Sequence, residues 1–399
     1  MITKRYIVAL TLTVATCLTG CASSSGTSAA GGKKTFDVVA VLALTGPVAA
    51  SAKGTQEGLQ AAVDSINASG GVMGQQASLT VLDDSGDPTK SVTLLQSYLD
   101  KKTPQLVIPG NNSNQALAML PVLTRDKVLS MSQGQSNKLN NPKAFPYHFG
   151  YNSVPQDTDK IVSYLKARGD RSVALLAAND ALGQSTVDIF KAAFAKGGIQ
   201  LAVEQYAPTD LDMKPQLQRL QATRPQTLMI QSYGATAGYI LKGRTELGWD
   251  IPTLGAPTLG NGNNLALVSS PTDWKNLKLF VNRVNTPKHL QSPAFTDLMT
   301  RLKSANSKLD QPFQIYSTAW DSVHLAKLAA EQAKSTDGAA MAKALENRAA
   351  GQGASPLVSF SKETYSPTNH FFDLSSVPDA NAVVAPGPIV GGFIQSVSN

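Results

Sequence analysis

Two hydrophobic rhythms alternate along most of this chain. Phe36–Leu44 reads FDVVAVLAL, a short and nearly continuous apolar run, as expected of a strand covered on both faces. Gly46-Pro47 breaks it, and Thr55–Ser69 then sets Leu59, Ala62, Val63 and Ile66 at helical spacing before Gly70-Gly71. The unit repeats with a strand over Ala77–Leu82 and a helix that Asp87 caps and Pro88 opens, carrying Val92, Leu95 and Leu99. A strand at Gln105–Ile108, a helix at Ser113–Arg125 and a strand at Val128–Ser132 follow. After Tyr147 the rhythm restarts. Helices are predicted at Gln156–Arg168, Gly183–Lys196, Met213–Ala222 and Ala235–Leu247. Strands are predicted at Ser172–Ala177, Gln200–Tyr206, Gln226–Gln231, Pro252–Leu254 and Leu277–Val284. Three more helices, Ser292–Ser304, Gln314–Lys334 and Ala339–Asn347, precede a tail from Pro356 in which short β-like runs alternate with Pro, Gly and Asn. Alternating βα order implies parallel sheets with helices on both faces, here twice. The expected class is α/β, two doubly wound parallel-sheet lobes with a cleft between them.

The N-terminus stands apart from this pattern. Lys4 and Arg5 precede a mostly apolar run, Tyr6–Cys17, that ends in Leu18-Thr19-Gly20-Cys21. A basic start, a short apolar stretch and small residues at the cut describe a secretory signal peptide over 1–20, too short for a spanning helix of about 20 residues. Leu-Thr-Gly-Cys resembles the lipobox of bacterial lipoproteins, which implies cleavage before Cys21 and a lipid on its thiol. Residues 21–35, rich in Ser, Gly, Ala and Thr, read as a flexible tether. Cys17 and Cys21 are the two cysteines, so the processed chain has no thiol left for an internal disulfide.

Composition narrows the class further. With 399 residues, 42% hydrophobic and 16% charged, the chain is globular and long enough for more than one domain. Its net charge of +7 is mild and includes the two charges of the signal segment; no Lys/Arg cluster is interleaved with aromatics, so no nucleic-acid partner is expected. His148, His289, His324 and His370 form no i, i+4 pair and no metal-ligand set. No GxSxG elbow, P-loop or complete GxGxxG occurs. Asp83-Asp84-Ser85-Gly86-Asp87 has the wrong spacing for a calcium loop and reads as a turn capped by Asp87. No catalytic residue, metal or cofactor is therefore expected.

Ligands of open α/β sheets bind beyond the carboxyl ends of strands. There the run Pro109-Gly110-Asn111-Asn112-Ser113-Asn114 follows a strand and opens a helix, whose free N–H groups and positive dipole end suit an anion. Ser113 has two readings, a helix cap or a hydrogen-bond donor to a ligand. A second polar, glycine-containing loop, Ser132-Gln133-Gly134-Gln135-Ser136-Asn137, follows the next strand, and the two loops could converge on one carboxylate or amide.

Larger motifs now carry a resemblance. Val41-Leu42-Ala43-Leu44-Thr45-Gly46-Pro47, then Gly54 and Gly58, then Ala62-Val63-Asp64-Ser65-Ile66-Asn67 into Gly70-Gly71 and Gly74, and Asp83–Pro88 form one series. With Glu246-Leu247-Gly248 and Trp320-Asp321, this series resembles the type I solute-binding proteins of branched-chain amino acid ABC uptake systems, the leucine/isoleucine/valine-binding family, over nearly the whole body. The resemblance implies two lobes joined by crossovers near 150, 281 and 356. Lobe 1 would hold 36–149 and 282–355, and lobe 2 would hold 150–281 and 356–399. It implies that Ser113, between Asn112 and Asn114, binds a carboxylate, that Gly134 and Ser136 add donors, and that Tyr233 reaches an ammonium. Two positions depart from the family pattern. The acidic partner of the ammonium should fall in Gly255-Ala256-Pro257-Thr258, where Thr258 is the only polar side chain, and an aromatic should fall near Ser51. Asp180 could replace the missing acid, or it is a loop-surface carboxylate. The function expected is a monomeric, lipid-anchored, extracytoplasmic solute-binding protein delivering a small polar solute (carboxylate, amide or amino-acid-like) to an ABC permease. A sensor of the same fold that signals to a membrane receptor, or an extracytoplasmic α/β hydrolase, is the alternative.

Overall fold

Strand β1 (Phe36–Leu42) is buried at every residue, as its apolar run, interrupted only by Asp37, requires of a central strand. The structure, a computed structural model, describes residues 34–46, 48–151, 154–260, 262–286, 292–347, 357–358, 365–371 and 381–395. The expected signal peptide, Cys21 and all but the last two residues of the tether lie outside the described residues.

Around β1 run α1 (Ala49–Ala68), β2 (Ala77–Asp83), α2 (Pro88–Leu99), β3 (Leu106–Pro109), α3 (Ser113–Arg125), β4 (Ser130–Ser132) and β5 (His148–Gly150). The strands form a five-stranded, wholly parallel sheet in the order β2-β1-β3-β4-β5. Asp87 caps α2 as expected, accepting from Thr89 N at 2.7 Å and Lys90 N at 3.2 Å, with Pro88 in the first turn. Helix α1 begins six residues before the predicted Thr55, which places Ser51 on a helical turn.

The second set is α4 (Val154–Ala167), β6 (Ser172–Ala178), α5 (Ala181–Gly197), β7 (Gln200–Tyr206), α6 (Lys214–Ala222), β8 (Thr227–Gln231), α7 (Thr236–Glu246), β9 (Thr253–Gly255), α8 (Gly262–Leu265) and β10 (Leu277–Asn282). Then come α9 (Pro293–Ser304), α10 (Phe313–Ala333), α11 (Gly338–Glu346), β11 (Asn381–Val384), β12 (Ile389–Val390) and β13 (Phe393–Ile394). The second sheet runs β11-β10-β9-β8-β6-β7, parallel except for the edge strand β11.

Helices α9 to α11 follow the second set in sequence but pack in the first core. Leu298, Tyr316, Trp320, Val323 and Leu345 share it with Phe36, Val38, Leu59 and Ile66. Close approach of α1 to α10 depends on Gly58, where a Cβ would strike the Tyr316 carbonyl and fall 2.9 Å from Ala319 Cβ.

The tail corrects one boundary. Leu357, Val358 and Tyr365 belong to the first core, and Gly150 bridges Phe371 in parallel while donating its N–H to His370 O at 2.9 Å. Residues 357–358 and 365–371 thus lie on the first lobe rather than opening the second near 356, and β11 returns the chain to the second sheet. The reason is local. Gly150 has no side chain, and the Phe371 ring fills that space over the short edge strand β5, a strand the sequence reading missed. Asn381, on β11, then ties that strand to α4 and β10. Its Nδ2 donates to Asp157 Oδ1 on α4 and to Asn282 Oδ1 on β10, both at 3.0 Å, and its Oδ1 accepts from Lys160 Nζ at 3.0 Å.

Candidate functional site

The turn between β3 and α3 is set by Gly110, at φ +83°, and by Asn112. Asn112 Oδ1 accepts from Asn114 N at 3.0 Å and Gln115 N at 3.1 Å, so Asn112 and not Ser113 is the cap of α3. Ser113 is thereby released from capping. Its side chain, 5% exposed, accepts from Ser136 N at 3.1 Å, which leaves its hydroxyl hydrogen for another acceptor. Gly134 lies against it. A Cβ at Gly134 would sit 3.2 Å from Ser113 Oγ and 2.6 Å from Leu139 Cδ1, so glycine there keeps the approach to the hydroxyl open.

The second lobe contributes Tyr233 after β8 and Thr258 after β9. Asp180 caps α5, with Oδ1 accepting from Gly183 N at 2.8 Å, while its Oδ2 accepts from the Tyr233 hydroxyl. Burial, and then the Asp180 charge beside it, pushes the Tyr233 phenol well above the ordinary tyrosine range. The phenol stays protonated, gives its hydrogen to Asp180 and offers lone pairs to the cleft. Thr258 Oγ1 accepts from Gln231 Nε2 at 2.9 Å.

Ser51, Asn112, Ser113, Gly134, Tyr233 and Thr258, all expected from sequence, line one cleft of about 180 Å³. That is below the roughly 300 Å³ at which pockets for drug-sized ligands begin, so the cleft suits a small solute. Three expected residues are placed differently. Ser136 is fully buried and bonds Ser185 Oγ at 2.7 Å; Asn114 Oδ1 accepts from Ala181 N at 3.2 Å. Both join the first lobe to α5 rather than lining the cleft. Asp180 is neither on the loop surface nor in the cleft, but buried behind Tyr233.

Gln133, in the second polar loop expected to converge on the ligand, also lines the cleft, as do Asn285 and Gln314, which sequence reasoning missed. Gln133 is locked, accepting from Thr55 Oγ1 at 3.1 Å and donating to Ile315 O at 3.0 Å and Thr318 Oγ1 at 2.8 Å. Asn285 stands three residues beyond the carboxyl end of β10, where the strand-end rule does look, and Gln314 lies in the first turn of α10, away from any strand end. Among the described residues lining the cleft, none carries a formal charge. Among the described residues, too, no cluster of His, Cys, Asp and Glu could hold a metal, and no helix is long and apolar enough to cross a membrane. The described histidines are engaged elsewhere. His148 sits between Ser130 and Ser132, and burial lowers its pKa to about 3; His324 contacts Trp320 O, and His370 contacts Glu346.

A family model described as periplasmic binding protein matches residues 35–372. The chain belongs to the periplasmic binding protein family. A Brucella melitensis relative, Leu/Ile/Val-binding protein homolog 3, is 27% identical over 361 residues, covering 89% of this chain and 94% of that protein. The crystal structure of a periplasmic binding protein type 1 from Bordetella pertussis superposes with a TM-score of 0.79 at 21% identity, covering 92% of this chain and 100% of the other. The branched-chain amino acid transporter substrate-binding protein LivJ from Streptococcus pneumoniae, in complex with isoleucine, gives a TM-score of 0.74 at 19% identity, with 91% and 98% covered. This periplasmic binding protein thus has the family and the type I fold that its motifs implied, and its family places it outside the cytoplasm.

Proposed function

We propose that this protein captures a small solute bearing a carboxylate or amide, without a cationic amine, and delivers it as a monomer to an ABC permease. The observation that supports this most is Ser113. It stands at the start of α3, freed from capping by Asn112, beside the side-chain-free Gly134, and it faces an uncharged cleft. The α3 start turns the positive end of its dipole toward the carboxylate, its Asn114 and Gln115 N–H groups being held by Asn112. Tyr233 reaches the solute from the other lobe. Contacts to both lobes give the closed form the higher affinity, and that difference is what drives closure.

Ser113→Ala is expected to weaken binding of such a solute by about 1–3 kcal/mol, because a buried acceptor loses its donor. Calorimetry on a carboxylate found by thermal-shift screening measures this, since a ligand that binds only the folded state raises apparent stability. Unchanged affinity would reduce Ser113 to a packing residue.

We propose further that Cys21 carries the lipid that holds the protein at the membrane. Cys21→Ala is expected to move it from the membrane to the soluble fraction. A wild-type protein that is already soluble after signal cleavage would refute the anchor.

A further inference from the structure

Three carboxamides of the cleft, Asn111, Asn112 and Asn285, are oriented by backbone donors, and Gln314 is oriented through the amides of Asn282 and Asn285. Asn112 Oδ1 is held by two backbone N–H groups, and Asn111 Oδ1 accepts from Ala43 N at 3.4 Å. Asn285 Oδ1 accepts from Gln314 N at 2.9 Å, so its other side-chain atom is the NH2 group. That group donates at 3.4 Å to Gln314 Oε1, which also accepts from Asn282 Nδ2 at 2.7 Å. The amide oxygens of Asn111, Asn112, Asn285 and Gln314 are thus used within the protein. That leaves the side-chain N–H groups of Asn111, Asn112 and Gln314, three residues that line the cleft, as donors for a solute. The cleft is therefore rich in donors, and they stand on two separate elements, the β3–α3 turn and the first turn of α10.

We infer that the solute carries a second hydrogen-bond acceptor besides its carboxylate, an uncharged carbonyl or amide oxygen bound by Gln314 Nε2, so that its class is that of ω-amide or oxo acids. This rests on the carboxylate reading above. The second group is uncharged because no cationic side chain lines the described cleft and the Gln314 backbone N–H is already given to Asn285. A second carboxylate there would be buried without a counter-charge.

The test is calorimetric titration of the monoamides of succinate, glutarate and adipate against butanoate, pentanoate and hexanoate, with the diacids and ω-amino acids of the same lengths. The readout is the affinity ratio of monoamide to matching monocarboxylate. At the best length it is expected to be about tenfold or more, as for a hydrogen bond made in a buried site. Gln314→Glu keeps an oxygen for Asn282 and Asn285 but loses the donor, and Gln314→Met loses the donor without adding charge. In both variants the ratio is expected to fall to about one. A wild-type ratio near one, or a ratio that survives both variants, overturns the inference while leaving the carboxylate reading intact. Tighter binding of the diacid or the ω-amino acid than of the monoamide overturns it too. Failure of every probe to bind overturns both.

Discussion

Leucine, isoleucine and valine are expected to bind at least about a hundredfold more weakly than the same carbon skeletons without the amine, a penalty of about 3 kcal/mol. Closing two lobes over an α-amino acid takes its ammonium out of water, and such burial is tolerated only with a counter-charge and satisfied hydrogen bonds. Within the described cleft no carboxylate supplies one. The stretch Gly255–Thr258 offers only Thr258, whose hydroxyl already accepts from Gln231. Asp180 is one residue removed. Its two oxygens accept from Gly183 N and the Tyr233 hydroxyl, so its charge reaches the cleft only through a neutral phenol. That phenol can take one hydrogen bond from a ligand, but it does not neutralise a cation. Titrating leucine against isocaproate decides the matter. Micromolar or tighter leucine binding would contradict the expectation, and its loss in Asp180→Asn would show that the Tyr233–Asp180 pair acts together as the missing acid.

Gly150→Val is expected to destabilise the fold by about 3 kcal/mol, at the upper end for overpacking a core. A Cβ at Gly150 would fall inside the Phe371 ring, which is fully buried. The ring has little room to move, because its neighbours are anchored. His370 N donates to Asn140 Oδ1 at 3.0 Å, Asn140 Nδ2 donates to Asn369 Oδ1 at 2.8 Å, and Gly150 N donates to His370 O. Chemical denaturation of the single variants and of Gly150→Val with Phe371→Ala measures the coupling. The double variant should lose less than the sum of the two, since removing the ring makes room for the valine. Strict additivity would mean that residues 365–371 do not pack on β5 in solution.

The doubly wound body was legible because its signals are local. An unbroken apolar run marks a central strand, and spacing such as Leu59, Ala62, Val63 and Ile66 marks a buried helix face. Asp87-Pro88 identified a helix start for the same reason. At α3 the sequence offered Ser113 as cap or ligand donor, and only the structure gives the cap to Asn112, whose side chain accepts from Asn114 N and Gln115 N. The tail was illegible beyond its irregularity, because what assigns 365–371 to the first lobe is a space above Gly150, more than two hundred positions earlier in the chain. Asp180 shows the same limit. A loop position after a strand says nothing about whether a second loop brings a phenol over it, and Tyr233 does. Gln314 escaped because it enters the cleft from the first turn of α10 rather than from a strand end, whereas Asn285, just beyond β10, was within the rule's reach.

The placement of α9 to α11 has a consequence for biosynthesis. Strand β1 and helix α1 are made early, yet the surface they bury is completed by Tyr316 and Trp320 on α10. While the ribosome is still adding the second lobe, the first has its sheet strands but one face without its covering helices. Pairings between segments far apart in the chain form slowly, and their apolar surfaces stay exposed meanwhile. The first lobe therefore cannot reach its native state as a nascent chain until most of the protein has been synthesised.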